Sequence, residues 1–388
     1  MTAAGSYDAV VIGGGHNGLV AALYLARAGW SVAVLERNAT VGGAIASGEV
    51  TLPGFVHDLY STNQNVFLGS RMYADFGSDL SRHGLRFHTT DHPYANAFPD
   101  GSSVRVYSEY ERTIGQLAKR NSGDAEGFAG LYQQYKQFAP HLFGLYGSAV
   151  PSSAAVRQVL NLLRHHGLGG ARELTHTLLM STRELGSTYT ESQAGLLPVE
   201  PLLVVGQTSA VDPTRAPAGR HVVWIQIRTM PSVIRGDAAG TIRHTSWPEA
   251  VEPMTDRVLT KLEHYAPGTR SRIVGTTAYT PQDLESANPN LVGGDSVAGS
   301  HHLSQNFFFR PMSGHSGYRT AVPGPYLTGA ATWPGAGNNA TSGRLTARQV
   351  LKDVRLRGWA SRSARCRWTA DPRPTYMAPE DRRAPRNS

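Results

Sequence analysis

Residues 8–36 constrain the fold of this chain more than any other stretch. An apolar run at 9–12 leads into a glycine-rich turn at 13–18, and an Ala- and Leu-rich segment of helical periodicity follows. A second apolar run at 32–35 ends on the acid Glu36. This order predicts a strand, a tight turn, a helix and a second strand, which together form the βαβ unit that binds dinucleotides.

Each glycine of the turn has a separate physical role in this interpretation. Gly13 permits the tight turn, and Gly15 lets the backbone approach a pyrophosphate. Gly18 lets the helix lie close to the strand while its first N–H groups face the anion. Glu36 lies where an acid accepts hydrogen bonds from a ribose. The alternative is an ordinary glycine-rich turn, but strand, helix and acid all occur at the expected distances.

Bulk properties fit a water-soluble enzyme. The 388 residues are enough for two domains with their own cores, and 40% are hydrophobic and 17% charged. The single cysteine, Cys366, excludes an intramolecular disulfide and a CxxC redox pair. The first apolar stretch lacks a basic region before it and is interrupted by glycines, unlike a signal peptide. No apolar segment has the length of a membrane span. We expect a cytoplasmic protein, with peripheral membrane contact left open.

The positive charge is concentrated at the C-terminus. The net charge is +8, and residues 355–388, with nine arginines and three acids, carry +6 of it. This segment has several prolines and little apolar periodicity, which predicts a basic disordered tail. No basic face with interleaved aromatic residues accompanies it, so a nucleic-acid partner is not expected.

A glycine doublet, Gly42-Gly43, follows Glu36. Such a doublet lets backbone pass close to the pyrophosphate and ribityl chain of an extended FAD, which a nicotinamide dehydrogenase does not require. The sequence here resembles the flavoprotein superfamily of phytoene desaturases, carotenoid ketolases and amine oxidases. Within it, the likeness is to the phytoene-desaturase-like subgroup that contains pyridine nucleotide-disulfide oxidoreductase domain-containing protein 2. Residues 54–60 resemble the same subgroup, whereas Ala44 replaces an arginine that many relatives have.

A second element, at residues 325–351, also carries the resemblance and predicts a strand, a glycine-rich turn and a helix. The resemblance implies that it closes the FAD site, with Gly329 near the pyrophosphate and ribityl chain. It also implies that the N-terminus of the last helix faces the flavin ring, where it would stabilise the negative charge of the reduced form. The predicted cofactor-binding residues are Gly13, Gly15, His16, Asn17, Gly18, Glu36, Arg37, Gly42, Gly43, Gly329, Gly337 and Asn338.

The resemblance implies an α/β fold, in which a Rossmann-like FAD-binding domain is assembled from both chain ends and an α+β substrate domain is inserted between them. We assign residues 1–60 and 311–354 to the FAD-binding domain, 61–310 to the substrate domain and 355–388 to the tail. Near Gln193 the chain lacks a long stretch that complete relatives have, including a strand that returns to the FAD domain. We therefore predict an internal deletion, which would leave an unpaired sheet edge and exposed apolar surface.

The central part of the chain gives coarser predictions. Short strands are predicted over 71–107, with a hairpin turn at 99–102, and further strands at 202–207, 221–227 and 272–279. Helical periodicity predicts helices over 110–146, 154–185 and 251–265. We interpret the aromatic stripe from Phe128 to Phe138 as core. The helix at 154–185 has an apolar face edged with cations, which packs on the protein in the favoured interpretation or lies on a membrane in the other.

Two pairs of polar residues are weaker candidates for chemistry. His57 and Asp58 are adjacent in an extended segment and so point to opposite faces, which argues against an acid/base pair. His301 and His302 lack helical spacing and a third ligand, so no metal is expected.

The resemblance implies oxidation of a small apolar, polyene-like substrate by hydride transfer to flavin N5, with an unspecified electron acceptor. The cofactor carries the chemistry, so no catalytic side chain is predicted. Candidates for lining the substrate side are Tyr60, Phe307, Phe309 and Trp333. Two alternatives stay open: an amine-oxidase-like flavoenzyme, and a flavoprotein-like scaffold without turnover because the central stretch is missing.

Overall fold

The computed structural model describes residues 6–179, 186–297, 299 and 305–358. The helices are α1 (His16–Arg27), α2 (Asn65–Leu68), α3 (Arg71–Arg82), α4 (Tyr110–Arg120), α5 (Ser122–Tyr146), α6 (Ser153–Leu179), α7 (Gly186–Gln193), α8 (Trp247–Tyr265), α9 (Pro281–Ala287) and α10 (Thr341–Gly358). The strands are β1 (Ala9–Ile12), β2 (Val32–Leu35), β3 (Ser47–Gly48), β4 (His57–Asp58), β5 (Tyr94–Ala97), β6 (Ser103–Val106), β7 (Leu196–Leu197), β8 (Leu203–Gly206), β9 (Trp224–Ile227) and β10 (Gly236–Asp237).

The N-terminal βαβ prediction is confirmed. β1 and β2 pair in parallel, and Ile12 lies opposite Leu35 at the end of the ladder. Between them, α1 buries Val20, Tyr24 and Leu25, which recur at helical spacing. The chain therefore folds back over its own two-stranded sheet, as its local pattern indicates.

The core beside α1 is completed by α3 and by the C-terminal helix α10. Met72 and Phe76 of α3 pack in one cluster with the buried face of α1, together with Ala340 and Ala347. Burying a Met or Phe side chain contributes about 1.5–3 kcal/mol each. The alanines have little side-chain volume, so α10 lies close against α1.

The two faces of this small sheet have different environments. Ala9 packs against the α1 core, and an added Cβ on Gly18 of α1 would lie 3.2 Å from a Val11 methyl group. Because side chains alternate along a strand, Val10 and Ile12 point away from α1. Val10 is 42% and Ile12 86% exposed, so the second face of the sheet is largely uncovered.

In the described part of the chain, the sheet also has an unpaired edge, on the side of β1 that faces away from β2. Within the described residues β1 pairs with β2 alone, so the other edge of β1 is open. Leu35, at the end of β2, is 46% exposed. An open edge and a bare apolar face are what the deletion near Gln193 would leave, and the deletion itself stays a prediction.

Residues 71–82 form helix α3, so the prediction of strands at the start of 71–107 is wrong. Ser70 caps the helix, because its side-chain oxygen accepts the Tyr73 N–H at 3.1 Å. Met72 and Phe76 are four residues apart and bury one helical face. The hairpin at 99–102 is confirmed, since β5 and β6 pair in antiparallel register around it.

Two other predicted strands do not form. Residues 272–279 have no ladder partner in the described part of the chain. Within 325–329, pairing is limited to one antiparallel bridge between Arg319 and Tyr326. A strand needs a neighbour to satisfy its backbone groups, and β1 and β2 do not extend their sheet to this segment.

The predicted helices over 110–146 form as α4 and α5, which are separated at the extended residue Asn121. The interpretation of the aromatic stripe as core holds for Phe138 and is wrong for Leu131 and Tyr135, while Phe128 and Tyr132 are half-buried. Phe138 is buried, but Leu131 is 62% and Tyr135 56% exposed. The predicted helix from 154 forms as α6 with a kink at Gly167, and its predicted end at 180–185 lies outside the described residues.

A second core lies around α8, which confirms the helix predicted over 251–265. Trp247, Met254 and Val258 of α8 pack with residues from the β7–β10 segment. Arg257 donates both guanidinium ends to Asp237, at 2.7 and 2.8 Å. Burial alone would raise the pKa of Asp237, but Arg257 and backbone N–H donors hold it well below its usual range.

The remaining predictions concern sheet pairs and the tail. β8 and β9 pair in antiparallel register within the strands predicted at 202–207 and 221–227. α10 continues to Gly358, past the predicted start of the tail at residue 355, and residues 359–388 lie outside the described part. Among the described helices, none is long and apolar enough to cross a membrane.

Candidate cofactor-binding site

The turn between β1 and α1 has the geometry of a phosphate-binding loop. Gly13 has φ +99°, and its N–H donates to the Leu35 carbonyl at 2.7 Å. A Cβ on Gly18 would collide with the Gly13 carbonyl oxygen, so only glycine allows this close approach of helix and strand. α1 begins after Gly15 without a side-chain cap and without an acid in its first turn. Its first N–H groups can therefore bind an anion.

The glycine doublet lies directly against this loop. The Gly42 N–H donates to the Gly14 carbonyl at 2.9 Å, and Gly15 and Gly42 form a parallel bridge. A Cβ on Gly43 would lie 3.0 Å from the Gly15 Cα. Both doublet residues have positive φ, 132° and 61°, which favours glycine at each position. The two glycine-rich segments thus form one continuous backbone surface.

Glu36 is held in place by backbone donors. Its Oε2 accepts the Gly14 N–H at 2.7 Å and its Oε1 accepts the Asn38 N–H at 2.9 Å. These hydrogen bonds, that of Asn38 first, lower the pKa of Glu36, so the side chain stays a carboxylate at neutral pH. Each carboxylate oxygen retains a lone pair, so a ribose hydroxyl could still donate to it.

His16 and Asn17 connect the loop to the C-terminal glycine-rich segment. His16 Nε2 lies 3.1 Å from the Gly337 carbonyl oxygen and 2.9 Å from Asn17 Nδ2, so it donates to Gly337 in the tautomer with the proton on Nε2 and accepts from Asn17 in the other. Burial lowers the pKa of His16, so the imidazole is neutral at pH 7 although the bond to Gly337 acts in the opposite direction. Asn17 Oδ1 accepts the Gly343 N–H at 3.0 Å. Both side chains therefore hold α10 and its preceding turn against α1.

Ser342 is a site residue that sequence reasoning does not identify. It is 2% exposed, and its Oγ accepts the N–H of Gly329 at 2.9 Å. The same hydroxyl lies 2.6 Å from Thr332 Oγ1. A serine in the first turn of a helix is common as a local cap, so its contact with a residue 13 positions earlier has no sequence signal. Ser342 fixes the turn after Gly329 to the start of α10.

Two of the predicted cofactor-binding side chains are engaged elsewhere in the protein. Arg37 donates to the carbonyl of Ser286 in α9 at 3.0 Å. Asn338 donates to the Asn63 carbonyl at 2.6 Å and to Gln64 Oε1 at 2.9 Å. Their roles toward a cofactor stay predictions, whereas their contacts show that they join chain segments around the loop.

Trp333 does not line an open substrate surface, and that prediction is wrong. It is fully buried, and its Nε1 donates to the Ser148 carbonyl at 2.9 Å. Its ring stacks on Tyr146 and on Phe307, with centroid distances of 5.2 and 4.7 Å. Trp333 instead anchors the glycine-rich turn to the end of α5. Of the other candidates for the substrate side, Phe309 is 46% exposed and Tyr60 is half-buried.

His57 and Asp58 have separate partners, which confirms that they do not form a pair. His57 Nε2 lies 2.8 Å from Thr51 Oγ1. Asp58 is buried and forms an ion pair with Arg215 at 2.7 Å. His301 and His302 lie outside the described residues.

Residues 11–73 match the family of NAD(P)-binding Rossmann-like domains. This unit is a Rossmann-like domain. The phosphate loop, α1, β2 and Glu36 lie inside the matched range, which begins within β1. The Rossmann-like part of the predicted fold is thereby confirmed, together with a mixture of helices and strands in the rest of the described chain.

Relatives of the chain include oxidoreductases. Pyridine nucleotide-disulfide oxidoreductase domain-containing protein 2 from Rattus norvegicus is 33% identical over 181 residues, 46% of this chain and 30% of that protein. One of the subunits of limonene dehydrogenase from Castellaniella defragrans is 34% identical over 148 residues, 38% of this chain and 26% of that protein. Prolycopene isomerase 2, chloroplastic, from an Oncidium hybrid cultivar is 34% identical over 130 residues, 33% of this chain and 22% of that protein.

These matches confirm the resemblance to the subgroup that contains the first of these relatives. These relatives are named as an oxidoreductase domain-containing protein, a dehydrogenase subunit and an isomerase. The chain spans less than a third of the length of each relative.

Proposed function

We propose that this chain is an FAD-dependent oxidoreductase that oxidises a small apolar molecule. The observation that carries the proposal is the meeting of glycine-rich segments from the two ends of the chain. The Gly42 N–H donates to the Gly14 carbonyl, and His16 contacts the Gly337 carbonyl. A dinucleotide on the phosphate loop would have backbone from both ends beside it. An FAD-binding domain assembled from both chain ends accounts for this arrangement.

The doublet favours FAD over a nicotinamide nucleotide. Gly42 and Gly43 lie against the phosphate loop and present no side chains. Backbone without side chains can pass close to the middle of an extended cofactor, beyond the pyrophosphate. The dinucleotide fingerprint of a nicotinamide site comprises the glycine loop and the acid and does not itself include the doublet.

The chain's own residues would bind and orient the cofactor, and bound FAD would supply a flavin ring that accepts a hydride from the substrate. The uncapped first turn of α1 would bind the pyrophosphate. Glu36 would accept hydrogen bonds from the ribose. His16 contacts the C-terminal segment as a neutral imidazole, so it adds no charge beside the phosphates.

Apolar side chains near this region support an apolar substrate. Phe308 and Phe309 are 54% and 46% exposed, and the adjacent Phe307 stacks on Trp333. Limonene and prolycopene, which appear in the names of two relatives, are apolar molecules. The predicted cytoplasmic location and the electron acceptor are further parts of this proposal; oxygen and quinones are acceptors of the required kind.

The second candidate function is a flavoprotein-like scaffold without turnover. The uncovered face of β1 and β2 favours it, because Ile12 is 86% exposed at the end of the strand that enters the phosphate loop. A sheet with one bare face gives less support to the loop, and FAD bound there would dissociate more readily. The scaffold and the enzyme would both bind FAD, and only the enzyme would oxidise a substrate.

Replacing Glu36 by glutamine should weaken FAD binding roughly tenfold, because an amide cannot accept at both of its ends as the carboxylate does. The Gly14 and Asn38 N–H groups would compete for one acceptor. The dissociation constant is measured by quenching of flavin fluorescence. Glu252→Gln, an exposed change on α8, is the matched control. Equal FAD affinity of the two variants would show that Glu36 does not bind the cofactor.

The proposed activity is tested by adding a panel of polyenes, terpenes and amines anaerobically to the FAD-reconstituted chain. Loss of visible flavin absorbance with the apolar compounds is the expected result. Bleaching by amines alone would contradict the substrate class. Retained flavin that no compound reduces would favour the scaffold, and a chain that holds no flavin after reconstitution would contradict the cofactor.

A further inference from the structure

We propose that the protein docks on the surface of an anionic membrane through one face of α6. Four apolar residues on this face, Val156, Val159, Leu160 and Leu163, follow helical spacing and form what we term the α6 stripe. The stripe contains none of the residues assigned to the cofactor site, and its role is independent of the proposed function.

The α6 stripe is uncovered although an adjacent side of the helix is packed. Val156 is 57%, Val159 43% and Leu160 59% exposed. On that side, roughly a quarter turn around the helix from the stripe, Ala155 is buried, and His166 contacts Phe138 of α5 with a ring-centroid distance of 4.9 Å. α5 therefore fixes the orientation of α6 and leaves the stripe facing outward.

Cations flank the stripe, and carboxylates are missing from the surrounding sequence. Arg157 and Arg164 are exposed and lie seven residues apart, two helical turns along one side. Residues 127–172 contain Lys136, Arg157, Arg164 and Arg172 and no Asp or Glu. An apolar face bordered by cations without acids is complementary to anionic lipid headgroups over an apolar interior.

Two further large apolar residues on α6 and α5 are exposed. Leu168, just after the kink at Gly167, is 82% exposed. Phe143 near the end of α5 is 62% exposed. Among the described helices none is apolar enough to span a bilayer, so this contact would lie in the plane of the interface. A second copy of this chain would present an apolar stripe that matches the first. Self-association is therefore a separate outcome of the test.

The test is flotation of the full-length protein with vesicles of phosphatidylcholine alone and of phosphatidylcholine with phosphatidylglycerol. We expect binding to the anionic vesicles and a fall of at least about tenfold in the partition coefficient for Leu160→Glu and for the milder Val156→Ser/Leu160→Ser variant. The control is Val233→Glu, since Val233 is 68% exposed elsewhere. Circular dichroism and gel filtration verify that each variant is folded.

A second pair of variants tests the charges. Arg157→Gln/Arg164→Gln should lose affinity for anionic vesicles and show a weaker dependence on salt, whereas Arg220→Gln/Arg243→Gln should not. The basic C-terminal segment is present in every variant, so its attraction to lipid is common to all. Binding that persists unchanged in the stripe variants would overturn the proposal. Absence of vesicle binding, with a dimer that Leu160→Glu dissociates, would overturn it in favour of self-association.

Discussion

Replacing Gly343 by alanine should destabilise the protein by roughly 2–4 kcal/mol and prevent it from retaining FAD. The new Cβ would collide with the Asn17 carbonyl oxygen and lie 2.9 Å from its carbon. Both are backbone atoms of α1, so α10 would have to move away. The hydrogen bond from the Gly343 N–H to Asn17 Oδ1 would be lost as well. The free energy of unfolding is measured by urea denaturation.

Gly130→Ala is the matched control for this change. Gly130 lies inside α5, and a Cβ there would have no atom within 4 Å. Alanine at an open helical position is expected to stabilise by about 0.5–1 kcal/mol. If Gly343→Ala unfolds at the same urea concentration as the unmodified chain, α10 does not pack on α1 as described.

Replacing Gly15 by valine should abolish FAD retention while leaving the stability of the cofactor-free protein nearly unchanged. Gly15 has φ −70° and ψ 166°, which any residue can adopt, and the nearest atom to an added Cβ is the Gly43 Cα at 3.9 Å. The added Cβ itself therefore meets no close contact. A side chain at this point would occupy the space through which a pyrophosphate approaches the backbone.

Gly317→Val provides the comparison for Gly15, because a Cβ on Gly317 meets no atom within 4 Å. Flavin content after gel filtration and the melting temperature are measured for both variants. Retention of equimolar FAD by Gly15→Val would show that the loop does not bind the pyrophosphate.

The local parts of the fold could be predicted from sequence, because the interactions that determine them lie within a few residues. The βαβ unit follows from two apolar runs, three glycines and an acid within one short stretch of chain. The hairpin at 99–102 follows from its turn residues, and α8 from its periodicity. In the site, the positive φ values of Gly13, Gly42 and Gly43 agree with the glycines that the sequence singles out.

Long-range contacts could not be predicted in the same way. Ser342 contacts Gly329, and Trp333 is buried between Tyr146 and Phe307, yet none of these pairings has a local pattern. The prediction of strands at the start of 71–107 fails because α3 has few apolar residues to show a helical period. The start of α3 also depends on the Ser70 cap, which a strand pattern does not take into account. The apolar run at 325–329 has the composition of a strand, but pairing depends on a neighbour.

Flavin content tests most directly whether this chain binds FAD. The full chain is reconstituted with excess FAD, passed through gel filtration, and its flavin-to-protein ratio determined from the visible absorbance and the protein concentration, with Gly15→Val in parallel. We expect equimolar FAD on the unmodified chain and none on the variant. A chain without flavin after reconstitution, or one that binds NADP in its place, would contradict the assignment of the site.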